Sequence, residues 1–142
     1  GNVGKRLVKS PKLFVRDSGL VHALLGIKTF DDLQGHPVVG GSWEGFVIEN
    51  LLSVLPRRAT PYFYRTSAGA EIDLLIEFNP RHRIAIEIKR SLSPSVSKGF
   101  YQACEDMDVR EKYLIYPGED SYPRSKELEI MSLQGMMGKL MG

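Results

Sequence analysis

Two stretches of strict alternation stand at the centre of the chain. From Glu71 to Glu77, Ile72, Leu74 and Ile76 alternate with Glu71, Asp73, Leu75 and Glu77. From Arg83 to Lys89, Ile84, Ile86 and Ile88 alternate with Ala85, Glu87 and Lys89. A period of two predicts strands with Ile72, Leu74 and Ile76 sharing one face. Between them Phe78 to His82, with Asn79-Pro80, predicts a turn, so the pair reads as a hairpin. Aromatic Tyr62 to Thr66 predicts a strand before it, joined through Ser67-Ala68-Gly69.

Helical periodicity brackets these strands. Trp43 to Leu55 is apolar around most of its circumference, with Ser42 as cap and Pro56 as stop, so it should be covered on more than one side. Ser93-Pro94 predicts the start of a second helix running to about Met107. Lys112 to Tyr116 predicts a strand ended by Pro117-Gly118, and Glu127 to Ser132 another. Leu133, Met136, Met137, Leu140 and Met141 make the stripe of a short amphipathic helix. Upstream, Gly1 to Lys9 reads as basic and irregular, Lys12 to Arg16 as a strand, and Asp17 or Ser18 as the cap of a helix ending at Gly26. Asp31 to Gly41 reads as loop. From Trp43 to Tyr116 the order is helix, three strands, helix, strand. The second helix can cross over to a parallel neighbour, which predicts an α/β fold with a mixed central β-sheet flanked by helices.

A length of 142 residues fits one domain over 1–142 with its core at about 42–116. Nineteen basic against 17 acidic residues leave a net charge of +2, which permits nucleic-acid binding without arguing for it. Cys104 is the only cysteine, so no internal disulfide forms and a reducing, cytoplasmic setting is expected. No apolar run approaches the roughly 20 residues of a membrane span, so no membrane partner is expected. The chain begins at Gly1 rather than Met, which favours a piece cut from a longer protein.

The hairpin carries the candidate chemistry. Asp73 and Glu87 are equidistant from Pro80, so a hairpin folded there sets them opposite each other on neighbouring strands. Directly opposed Cβ atoms lie roughly 4.5–5.5 Å apart. Lys89, two residues beyond Glu87, shares its face. Two carboxylates at that spacing repel, and a divalent cation such as Mg²⁺ or Mn²⁺ removes the conflict, with the lysine beside it for a phosphate oxygen or a water. A solvated cross-strand ladder of Glu and Lys fits the alternation as well. Covering helices tip the balance, because a covered acid pair is costly without a cation. Glu44 aligns with Val47, Ile48, Leu51 and Leu55 and reads either as a site residue facing the sheet or its rim or as a snorkelling first-turn acid whose charge suits the helix dipole, whereas Glu49 falls on a more polar side.

At these residues the chain resembles the PD-(D/E)xK nuclease-like superfamily, in Ile72-Asp73 and in Glu87-Ile88-Lys89. Ile72 replaces the usual proline. More closely, it resembles the uncharacterised C-terminal domain of prokaryotic AAA-family ATPases. That resemblance runs through 10–20, Gly41 to Asn50, Tyr64-Arg65-Thr66, 69–73 and Ile86 to Ser91. It implies a restriction-endonuclease-like αβββαβ core and a Mg²⁺-dependent nuclease-like domain acting on nucleic acid, with an ATPase module earlier in the same polypeptide. By it, Asp73 and Glu87 are metal ligands, Lys89 is the catalytic lysine and Glu44 the helix glutamate. The alternative is a non-catalytic module that binds nucleic acid or protein, or regulates the ATPase.

Arg65 reads either as a phosphate-binding arginine or as an ion pair with Glu71 on the adjacent strand. His22, His36 and His82 lack partners at metal-ligand spacing. Arg57-Arg58, Arg81 to Arg83 and Lys89-Arg90 read as solvated charge more readily than as a nucleic-acid track, and Cys104 as a structural residue.

Overall fold

The computed structural model describes residues 5–9, 43–66 and 68–142. The strand expected at 12–16, the helix after it, the 31–41 loop, the Ser42 cap, His22 and His36 lie outside the described residues. In chain order the elements are β1 (Lys5–Lys9), α1 (Trp43–Ser53), β2 (Thr60–Thr66), β3 (Glu71–Asn79), β4 (His82–Ile88), α2 (Lys98–Asp106), β5 (Glu111–Ile115), β6 (Tyr122–Pro123), β7 (Leu128–Met131) and α3 (Leu133–Met141). The strands form one seven-stranded sheet in the order β1-β2-β3-β4-β5-β7-β6. Pairing is antiparallel from β1 to β4, parallel from β4 through β5 to β7, and antiparallel again at β6. The fold is a mixed α/β sheet flanked by helices, and α2 is the crossover between parallel β4 and β5.

The hairpin has the expected register. Leu74 pairs with Ile86, Leu75 with Ala85, Ile76 with Ile84 and Glu77 with Arg83. The turn is tighter than expected, since β3 runs to Asn79 and β4 starts at His82. Asn79 Oδ1 accepts the Arg81 N–H at 2.8 Å, an Asx turn that closes the loop around Pro80.

The core divides across the sheet. On one face Trp43, Phe46, Val47, Leu51 and Leu52 of α1 pack with Leu74, Ile76, Ile84, Ile86 and Met136. On the other, Phe100, Ala103 and Cys104 of α2 pack with Ile72, Leu75, Ala85 and Leu114. Burying each large α1 side chain is worth about 1.5–3 kcal/mol, so packing rather than amphipathicity holds a helix that is apolar nearly all round.

Three expectations need correction. Residues 5–9 are not irregular: they form the outermost strand among the described residues, with a ladder that runs from Lys5 opposite Thr66 to Lys9 opposite Tyr62. Backbone pairing with β2, not apolar patterning, makes that strand. Ile72 does not share a face with Leu74 and Ile76 but joins Leu75 in the opposite cluster. Tyr64 pairs with Ile72 and Tyr62 with Leu75, so β3 advances three residues while β2 advances two. The extra residue is a bulge at Asp73-Leu74.

The second helix does not begin at Ser93-Pro94; it begins after Ser97. The Pro94 carbonyl, which would serve the first turn of such a helix, accepts instead from Arg124 at 3.1 Å. Glu44 is exposed, which fits the rim and the first-turn acid rather than the sheet face, whereas Glu49 is half-buried with Oε2 shielded from solvent. In the first turn the inward position belongs to Trp43, whose Nε1 donates to the Lys89 carbonyl at 2.9 Å. Glu44 is left at the solvent edge, where its charge suits the helix N-terminus.

Candidate metal centre

The site lies at the end of β4, where the sheet changes from antiparallel to parallel pairing. The paired ladder of the hairpin stops at Leu74 and Ile86, and the same register carried one step further sets Asp73 against Glu87. Asp73 instead turns its carboxylate onto the next amide, and Oδ2 accepts the Ile88 N–H at 2.8 Å. The bulge at Asp73-Leu74 allows this, because it frees the aspartate from regular pleating. A cleft of about 290 Å³ opens here, lined by Asp73, Glu87, Lys89, Ser97, Glu71 and Gly69 among others.

Glu87 is buried at 6 % exposure, yet one of its oxygens is hydrogen-bonded and the other ion-paired. Oε2 accepts the Ser97 N–H at 3.1 Å and Oε1 pairs with Lys89 Nζ at 3.4 Å. Lys89 Nζ donates a short 2.6 Å bond to Ser97 Oγ. These donors offset the cost of withdrawing a charged carboxylate from water.

Asp73 is the less satisfied acid. Burial pushes its carboxyl from an ordinary 3.8 up to about 7; the Ile88 N–H opposes the shift, and the charges of Glu44, Glu71 and Glu87 add to it. Glu44 thus reaches the site through its field, although it does not line the cleft. The arrangement stores repulsion that a cation or a proton relieves.

The crossover helix is seated tightly against the turn before β3. Gly69 has φ +96 and closes that turn, with its N–H on the Thr66 carbonyl at 3.1 Å. A Cβ on Gly99 would run into the Gly69 carbonyl oxygen. Only glycine at 99 lets the start of α2, and with it Ser97, sit this close to Asp73 and Glu87.

The residues singled out from the sequence divide clearly. Asp73, Glu87 and Lys89 share the cleft; Glu44 and Arg65 do not line it. Arg65 makes an exposed ion pair with Glu71 at 3.4 Å, with side chains 70 % and 52 % exposed. His82 stacks on Phe78 and faces Glu111 at 3.3 Å. Cys104 is buried, which pushes its thiol up to about 12 and leaves it inert. Ser97 escaped sequence reasoning because the helix was started four residues too early. The signal was present: the stripe Phe100, Ala103, Cys104, Met107 begins three residues after Ser97, where an N-cap belongs.

The donor set suits a hard cation as far as it goes. Mg²⁺ is commonly held by one or two carboxylates and completes its shell with water and phosphate oxygens. Among the described residues, no three His, Cys, Asp or Glu side chains gather to hold a metal by themselves. Among the same residues no helix is long and apolar enough to cross a membrane.

The chain is 42% identical over 124 residues to Uncharacterized protein Mb2031c of Mycobacterium bovis and, to the same extent, to Uncharacterized protein Rv2008c of Mycobacterium tuberculosis. The match covers 87% of this chain and 28% of each relative, so the chain spans well under a third of their length. No solved structure matches it. A family model described as a domain of unknown function, DUF4143, matches residues 39–136, more than half of the chain and all of the cleft, and the chain therefore belongs to that family.

Proposed function

We propose that this domain is a divalent-metal-dependent phosphodiesterase domain acting on nucleic acid, of the PD-(D/E)xK nuclease-like kind, working beside an ATPase module in the same polypeptide. The observation that carries the reading is the hairpin register, which brings two carboxylates and one ammonium into a single cleft. The restriction-endonuclease-like description of the core is part of the same proposal. The helix, three antiparallel strands, crossover helix and parallel strand from Trp43 to Ile115 support it. The relatives' greater length leaves room for a further module.

In this reading Asp73 and Glu87 hold Mg²⁺ or Mn²⁺. The cation supplies Lewis-acid polarisation of a phosphoryl oxygen. Lys89 holds a phosphate oxygen or orients the attacking water through the Nζ donor that Ser97 and Glu87 leave over. Glu44 contributes charge at the edge of the cleft, and Arg65 has no direct part. The test is cleavage of DNA and RNA with Mg²⁺ or Mn²⁺, comparing wild type with Asp73→Ala and Lys89→Ala. Loss of activity in both variants is expected, and activity that survives both sinks the assignment.

A second reading has an observation of its own. Glu87 already has the Ser97 N–H on one oxygen and the Lys89 ammonium beside the other, so its charge is balanced without a cation. That favours a non-catalytic module which binds nucleic acid or protein, or regulates the ATPase, and keeps the acid pair structurally. Calorimetric titration with Mn²⁺ separates the two: no binding, together with unchanged stability in chelator, favours this second reading.

A further inference from the structure

We propose that Ser97 is a positioning residue for Lys89, holding its ammonium at the mouth of the cleft through the hydroxyl that would otherwise cap α2. The inference rests on reading Asp73, Glu87 and Lys89 as a metal-dependent site, and adds the residue that fixes its lysine.

Ser97 touches both neighbours with different atoms. Its N–H donates to Glu87 Oε2 at 3.1 Å, and its Oγ accepts from Lys89 Nζ at 2.6 Å. Lys89 Nζ closes the triangle on Glu87 Oε1 at 3.4 Å. A lysine ammonium is a point charge on a flexible stem with three donors. One short hydrogen bond and one ion pair fix its place and leave N–H donors for a ligand.

The local geometry argues that this contact displaces an ordinary one. Ser97 stands at the N-cap of α2 with φ −74 and ψ 144, a conformation suited to capping, yet its side chain makes no cap hydrogen bond. Ser132, in nearly the same conformation before α3, accepts the Gly135 N–H at 2.9 Å. The hydroxyl of Ser97 is committed to the lysine. Gly99, two residues on, locks the start of α2 against Gly69, so Ser97 offers Lys89 a fixed acceptor.

The experiment uses wild type, Ser97→Ala and Ser97→Thr, with two readouts. Trace acetylation followed by mass spectrometry measures the reactivity of Lys89 relative to exposed Lys98 in the same molecule. Lys89 labelling is expected to rise several-fold in Ser97→Ala and to stay at the wild-type level in Ser97→Thr, which keeps the hydroxyl. Cleavage of a DNA probe with Mn²⁺ is expected to lose about ten- to a hundredfold in kcat in Ser97→Ala, with KM little changed and most of the loss recovered in Ser97→Thr. Ser97→Cys, which keeps the N–H and offers a poor acceptor, replaces Ser97→Ala should the latter fail to fold. Unchanged Lys89 labelling, or wild-type turnover in Ser97→Ala, overturns the proposal. If wild type neither binds Mn²⁺ nor cleaves, the function proposed above fails, while the labelling arm still decides whether Ser97 holds the lysine.

Discussion

Helices α2 and α3 each start on a serine in extended backbone geometry, and the two serines spend their hydroxyls differently. Ser132 caps its helix by accepting the Gly135 N–H, and its surroundings are those of a stable corner. It is buried, its N–H reaches Ser121 Oγ at 3.2 Å, and Met136 one turn later is fully buried. Ser97 gives its hydroxyl to Lys89 and its N–H to Glu87. A cap of this type is usually worth ~0.5–2 kcal/mol. α3 collects that stabilisation and α2 forgoes it. Broken local rules concentrate where a protein does chemistry, so the difference separates a corner built for folding from one built around charged groups.

The largest expected effect that sharpens this contrast comes from Asp73, beside the start of α2. Its folded carboxyl lies near 7 against an ordinary 3.8, so its proton is favoured in the folded state. Stability from this group is therefore full below about 4 and is lost as the pH rises through about 7. Asp73→Asn cannot ionise. Urea unfolding across that range is expected to show the variant gaining on wild type by at most ~4 kcal/mol above neutral pH, with no gain in acid. Mn²⁺ should narrow the gap by stabilising wild type alone. A gap that is flat with pH breaks the account of stored repulsion.

Gly99→Ala is next. The added methyl meets backbone rather than a yielding side chain, so α2 must shift. Overpacking of this kind costs ~1–3 kcal/mol, measurable as a fall in the urea midpoint. Gly138→Ala in α3, where nothing lies in the way, is the control and should hold or raise stability.

The smallest effect tests the two serines directly. Ser132→Ala should cost ~1 kcal/mol, and Ser97→Ala, which removes no cap, should cost clearly less in the same thermal unfolding assay. Equal losses at the two positions would show that the hydroxyl of Ser97 matters to folding as much as that of Ser132.

Sequence reading reached the hairpin because its information is local. Alternation on either side of Pro80 determines the register, and the register brings Asp73, Glu87 and Lys89 together. It failed where partners distant in sequence decide. The bulge that moves Ile72 to the other face exists only in the pairing of β3 with β2. Strand β1 has Leu7 and Val8 among basic residues and is a strand because its backbone pairs with β2. The two-residue β6 depends on β7 in the same way. For Glu44 the helical wheel leaves both the rim and the solvated first turn open, because it does not know that the Trp43 indole reaches for the Lys89 carbonyl.

The placement of β4 has a kinetic consequence. It lies inside the sheet between β3 and β5, and Ile84 to Ile88 are all buried. Amides in such a strand exchange with deuterium only through the rarest, most global openings. Glu87 therefore rides on the slowest-opening part of the molecule. The segment from Arg90 to Ser95 follows that strand's end; it is exposed except at Pro94, whose carbonyl Arg124 holds, so any give lies in its exposed residues. Adaptation to a ligand would fall to that segment, leaving the acid itself in place.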